Sequence, residues 1–340
     1  MPTLRISAMV MLLLSGATLR IRVGPAQDAE RAPWLAALAL CSSLAASLGD
    51  GCSDCWGCVM AYAYPGEESL DYMPCRYGRS RLLFRGPRRD VSVRYAVVLG
   101  GIEAYGRYVP RPYPVLVEAA LGLPVVNLGC PNAGPDAWLG DPAVMEIVGR
   151  AAAVVVQVPG AADLTNRLYA VHPRRNDRFL RASPLLQTIY RGVDFTDFSF
   201  TRHLLQSLHA AGEARFALVA EELRTAWIAR MGALLARVPG RKVLLWMADH
   251  PPGPRRDAPL GEPVLVDAAM LETVGAQADA VVCAVASARA RAQGVAGMVF
   301  PAIAEPAARG LPGVTAHEEV AAALLPVLGE MLRDGKRGAA

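Results

Sequence analysis

Several groups of side chains in this chain have the types and spacing that chemistry requires. Glu103 follows Gly100 and Gly101 at the end of the apolar run Tyr95–Leu99. A carboxylate on such a tight turn can serve as nucleophile or base, and can equally be an exposed turn acid. Further on, Arg167, His172, Arg174, Arg175 and Arg178 interleave with Asn166 and Asn176. Guanidinium forks in that pattern suit carboxylate, phosphate or sulfate through paired hydrogen bonds. The competing reading is a solvated loop tied to Asp177, Asp194 and Asp197. Cys52-x-x-Cys55-x-x-Cys58 has metal or redox spacing but no matching second half, so no metal is expected. Cys130 reads as an inert small hydrophobe. Phe195, Phe198 and Phe200, followed by Arg202 and His203, read as a buried anchor.

The elements that must position these groups alternate in type. Short apolar runs at Tyr95–Leu99, Val125–Leu128, Ala153–Val158, Val243–Met247 and Ala280–Val285 predict five strands. Helical spacing predicts helices over Tyr113–Leu121, Ala143–Ala152, Glu213–Val238, Val264–Val274 and Glu318–Leu332, with His317 at the entrance of the last. Strands separated by helices predict an α/β fold, doubly wound, with a mostly parallel five-stranded sheet and helices on both faces. The site should then lie in the loops at the carboxyl ends of the strands. The loop Gly129–Gly134, with Asn132 in it, and the basic segment Arg76–Arg89 flank that region.

Composition narrows the function classes. With 340 residues and 53% hydrophobic content the chain can fill a sizeable core, which excludes a disordered or fibrous protein. The net charge is only +4, the cations are nearly all arginine, and no nucleic-acid-binding signature is present, so no nucleic-acid partner is expected. The apolar run Ile6–Gly16 is followed by Arg20 and Arg22 where a signal cleavage site should lie, and Trp34–Leu48 is too short for a confident span. No stable membrane insertion is therefore expected. Regular α/β grammar begins just after Met60. The organisation expected is an extension over 1–59, a basic segment over 60–94, the α/β domain over 95–334 and a tail over 335–340. If Met60 is the start, the scattered Cys75, Cys130 and Cys283 suit the cytoplasm; a real 1–59 segment would imply secretion or anchoring.

The ordered blocks LGGIEAYG, YPVLVEAALGLPVVNLGCPNAG, VVVQVPGAADLTN and VLLWMADHPP, then a late His before a helix, resemble the SGNH/GDSL hydrolases over residues 95–334. The stretches DYMPCRYGRSRLLFRGP and VHPRRNDRF are also similar to a bacterial family of unknown function. The resemblance implies a flavodoxin-like sheet order and a backbone N–H for an oxyanion at Gly129. Gly160 would open the third block, and His317 would be the base. It places Ile102 where the family keeps its serine, Asp163 where it keeps an asparagine with Asn166 nearby, and Val314 where it keeps an aspartate. Asn132 joins Gly129, Gly160, Asp163 and Asn166 as the oxyanion and substrate set.

Three function readings follow. One is an acyl or ester hydrolase or acyltransferase, with His317 as base and Glu103 or activated water as nucleophile. Its substrate would be a small-molecule or carbohydrate ester, including anionic ones, and it needs no cofactor. Another is a non-catalytic anion- or sugar-binding module on a degenerate hydrolase scaffold. The third is a sulfotransferase-like enzyme that uses the arginine-rich loop.

Overall fold

The computed structural model describes residues 9–14, 17–22, 69–259 and 261–337. Its contacts divide the chain into two units, Met1–Tyr64 and Pro65–Ala340. In the first, β1 (Met9–Leu14) pairs antiparallel with β2 (Ala17–Arg22), so part of the first apolar run is a hairpin strand. Trp34–Leu48 and the Cys52–Cys55–Cys58 motif lie outside the described residues.

The second unit is built on five parallel strands: β3 (Ala96–Gly100), β4 (Val125–Gly129), β5 (Ala153–Gln157), β8 (Arg241–Ala248) and β9 (Ala280–Val285). They lie in the order β4-β3-β5-β8-β9, which reverses direction between β3 and β5. That is the doubly wound order, and the reversal opens a crevice at the carboxyl ends of those two strands.

Side-chain alternation assigns the strand residues to two cores. Val97, Leu99, Val154, Val156, Leu244 and Trp246 face one layer, which contains the long helix α7 (Glu213–Ala236) with Trp227 and Met231. Ala96, Val98, Ala153, Val155, Val243 and Leu245 face the other. There they meet α2 (Tyr113–Leu121) and α11 (Val314–Arg337). Because the central strands are covered on both faces, they read as unbroken apolar runs in the sequence.

Shorter helices complete the layers: α1 (Ile102–Tyr105), α3 (Pro135–Leu139), α4 (Pro142–Arg150), α5 (Pro184–Ile189), α6 (Thr201–Ala210), α8 (Ala268–Gly275), α9 (Ala288–Gln293) and α10 (Glu305–Ala308). The Asp141 side chain caps α4 by accepting from the N–H groups of Ala143 and Val144. Among the described residues, no helix is long and apolar enough to cross a membrane.

Two expectations change. The arginine-rich stretch is not a loop but an antiparallel hairpin, β6 (Tyr169–His172) with β7 (Arg175–Ala182). Its buried Phe179 and Asn176 anchor it, while charged neighbours hide the strand pattern. The last helix begins at Val314, four residues before Glu318, which draws His317 inside its first turn. In the basic segment, Arg85 is buried and Nη1 donates to the carbonyls of Tyr105, Gly106 and Val109, with Nη2 donating to Pro110. It fastens the loop after α1.

Candidate active site

Two cavities, of about 490 and 540 Å³, open at the carboxyl ends of the strands. They share Glu103, Arg202, Met247, Glu262, Gly310 and Leu311, so these residues stand at a junction between two lobes. Volumes of this size are ordinary for small-molecule sites.

Glu103 reaches the junction because the chain leaves β3 and turns at once into α1. A Cβ on Gly100 would lie 2.4 Å from the Ala104 Cβ and 2.5 Å from Gln157 Oε1, so only glycine permits this turn. Gln157, the last residue of β5, is 5% exposed, and its Nε2 donates to Glu103 Oε2 at 2.8 Å. Glu262 comes from the segment before α8. That segment is held to the loop after β5 by the Ala161 N–H donating to the Val264 carbonyl at 2.8 Å.

Glu262 is pushed up to about 7, first by burial and then by the negative charges of Glu103 and Asp163, against the pull of Arg202. More than half of its side chain (54%) is nonetheless accessible, so solvent moderates this rise. Arg202 Nη1 lies 3.8 Å from Glu262 Oε1. Asp163 is raised to about 6 by burial, aided by the charge of Asp177, while a 2.6 Å hydrogen bond from Thr201 Oγ1 to its Oδ1 works against the rise. Protonated carboxylic acids beside a cavity are proton donors near neutral pH. Among the described residues, no cluster of three His, Cys, Asp or Glu is arranged to hold a metal ion.

Of the residues expected from sequence, Glu103, Asn132, Gly160 and Asp163 line the cavities. Asn132 adopts a positive φ of 65°, and its carbonyl accepts from the Asn176 N–H. The others are placed elsewhere. His317 is 1% exposed, lines neither cavity, stacks on Tyr113 and accepts the Tyr113 N–H at Nδ1 (3.2 Å). Burial, with Arg85 nearby, lowers it to about 3, which favours the neutral imidazole at a place outside both cavities.

The Gly129 N–H already donates to Asn127 Oδ1 at 2.8 Å. A Cβ there would sit 2.5 Å from the Tyr105 nitrogen, so this glycine allows α1 to pass close by and offers no oxyanion donor. Asn166 is spent on a turn, accepting from Leu168 and Tyr169 and donating to Leu164.

The expected anion-binding set lines neither of these two cavities. Arg167 pairs with Glu222, and His172 Nδ1 accepts the Arg174 N–H. Arg174 and Arg175 lie exposed at the β6–β7 turn, and the Arg178 guanidinium covers the Phe200 ring. Cys130 is buried and its thiol is raised to about 11 by burial, which keeps it unreactive.

Sequence reading missed Glu262, Gln157 and Asp177 as site residues, and it read Arg202 and His203 as part of an anchor. Glu262 lies in a proline-rich stretch without periodicity, and only long-range pairing brings it to Glu103. Gln157 ends a recognisable strand beside the switch point, and that position was a usable signal.

No curated protein matches the chain. The family model described as Domain of unknown function (DUF6473) matches residues 60–332, and the chain belongs to that family.

Proposed function

We propose that this domain is an SGNH-like hydrolase of small-molecule or carbohydrate esters that works with carboxylates instead of a serine and histidine. The observation that carries the reading is the meeting of Glu103 and Glu262 at the junction of the two lobes, where the charge of one raises the pKa of the other. Glu103, held by Gln157, takes a proton from water as the water attacks the ester carbonyl. The proton held by Glu262 goes to the departing alkoxide, giving an acid and an alcohol. Arg202 is the cation best placed to meet the developing oxyanion. Acyl transfer differs only in that an alcohol replaces the water.

The strand order and the position of Ile102–Glu103 after β3 support the SGNH relationship. Ile102, which has no nucleophilic atom, favours the second reading, a non-catalytic sugar-binding module in the same crevice. The arginines of the sulfotransferase reading, Arg167, Arg174, Arg175 and Arg178, line neither of these two cavities. The scattered positions of Cys75, Cys130 and Cys283 in the sequence suit a reducing compartment.

The test is hydrolysis of p-nitrophenyl acyl esters and acetylated sugars across pH. Turnover should fall about tenfold per pH unit above about 7 as Glu262 loses its proton. Absence of turnover throughout, with sugars still bound, would favour the binding module.

A further inference from the structure

The larger cavity, between β5 and α6, is lined by the carboxylates Glu103, Glu262, Asp163 and Asp177. They form a connected series. The charges of Glu103 and Asp163 act on Glu262, and that of Asp177 acts on Asp163. Among the described residues, Arg202 is the only lysine or arginine lining this cavity, and it stands at the junction end beside Glu262. His203 also lines it, with its ring edge-on to Phe198 at 5.0 Å.

At the other end, Thr201 brings Asp163 and Asp177 together. Its Oγ1 donates to Asp163 Oδ1 at 2.6 Å and lies 3.3 Å from the Asp177 carbonyl oxygen. Asp177 Oδ1 is buried and has no hydrogen-bond partner among the described residues. The same holds for Oε1 of Gln157, a cavity residue that is 5% exposed. Arg175 and Arg178 act on Asp177 from β7, but neither lines the cavity. Buried acceptors without donors, set beside carboxylates that repel one another, are completed by a cation that donates hydrogen bonds. An ammonium group supplies three donors and one positive charge.

We propose that this end of the larger cavity binds a protonated amine between Asp163 and Asp177, so that the ligand is a polar molecule bearing an ammonium group. The preference is opposite in sign to the anion expected from the arginine-rich stretch. In the hydrolase reading given above, the amine belongs to the part of the substrate remote from the bond broken at Glu103 and Glu262. The assignment rests on that reading for the reaction alone.

Calorimetric titration of the full chain with glucamine, sorbitol and gluconate tests the site without requiring turnover. The three carry an ammonium, a hydroxyl or a carboxylate at the end of the same polyol chain. At about pH 7.5, above the values reached by Asp163 and Glu262, the carboxylates are largely ionised. Glucamine should bind at least about tenfold more tightly than sorbitol, the gap between a charge-assisted and a neutral hydrogen bond, and gluconate more weakly than either. Asp177→Asn should erase most of that gap. Should the variant fail to fold, amide NMR of the parent replaces it, with glucamine expected to shift Asp177 and Thr201. Equal affinity for glucamine and sorbitol, tighter gluconate, or no binding of any of the three would overturn the site. So would an Asp177→Asn protein that keeps the gap, or shifts located elsewhere. A preference for glucamine together with no ester hydrolysis would leave the amine site standing and remove the hydrolase reading. Ester turnover with no preference for glucamine would do the reverse.

Discussion

Glu262→Gln is expected to lower ester turnover by roughly 10² to 10⁴-fold, the usual worth of a positioned general acid. The amide keeps the shape of the side chain and can still accept from the Val264 N–H, as Glu262 Oε2 does at 3.3 Å. What it loses is the transferable proton. The residual activity should therefore no longer fall as pH rises through about 7. Glu103→Gln should cost a comparable factor for the opposite reason, because an amide cannot take the proton from water. Its contact with Gln157 can survive by an amide flip, so circular dichroism and melting temperature should change little. Initial rates of parent and both variants between pH 5 and 9 check these outcomes. A Glu262→Gln protein with the parent's alkaline limb would assign that limb to another group.

The second large effect concerns stability and the histidine that the fold buries. His317 is lowered from 6.5 to about 3 in the native protein, whereas the unfolded chain titrates it normally. Above about pH 6.5 it is neutral in both states and its neutral packing is fully available. As pH falls from there toward 3, the unfolded chain binds a proton that the native chain refuses, so stability declines. By pH 4.5 the loss should reach about 2–3 kcal/mol, two pKa units at 1.36 kcal/mol each.

Asp163 and Glu262 act in the other sense. Their native values, about 6 and about 7, lie above the unfolded ones. Their contribution is present below the ordinary carboxylate range and is lost as pH rises through 6 and 7. Comparing parent with His317→Gln at each pH cancels the carboxylates. Glutamine retains an acceptor for the Tyr113 N–H. Urea unfolding at pH 8 should show the parent more stable than the variant, and the gap should shrink by about 2–3 kcal/mol at pH 4.5. An unchanged gap would mean that the imidazole exchanges protons freely in the native state.

The fold was legible where burial makes local pattern and tertiary position agree. Val97–Leu99, Val154–Val156 and Leu244–Trp246 are apolar throughout because both sheet faces are covered. β7 was not legible, because only Asn176 and Phe179 are buried while Arg175, Arg178 and Arg181 dominate the composition. The site was half legible. Glu103 and Asp163 follow strands at the switch point, and strand-end position is a local signal. Glu262 follows no strand, and its approach to Glu103 depends on the Ala161–Val264 hydrogen bond, which joins residues about a hundred positions apart. His317 misled because a late histidine near a helix start carries no sign of which face it will present. Gly129 misled because a glycine required for close approach of α1 has the same sequence signature as one that supplies an oxyanion donor.

The most direct measurement is a carbon-13 NMR titration of the glutamate side-chain carboxyl groups, with Glu262 assigned by comparison with Glu262→Gln. A coupled pair across the junction predicts that Glu262 titrates near 7, and that Glu103→Gln moves it downward by removing a neighbouring negative charge. Titration of Glu262 near the ordinary glutamate value of about 4.3, unmoved by Glu103→Gln, would contradict the pair and with it the carboxylate chemistry assigned to this cavity.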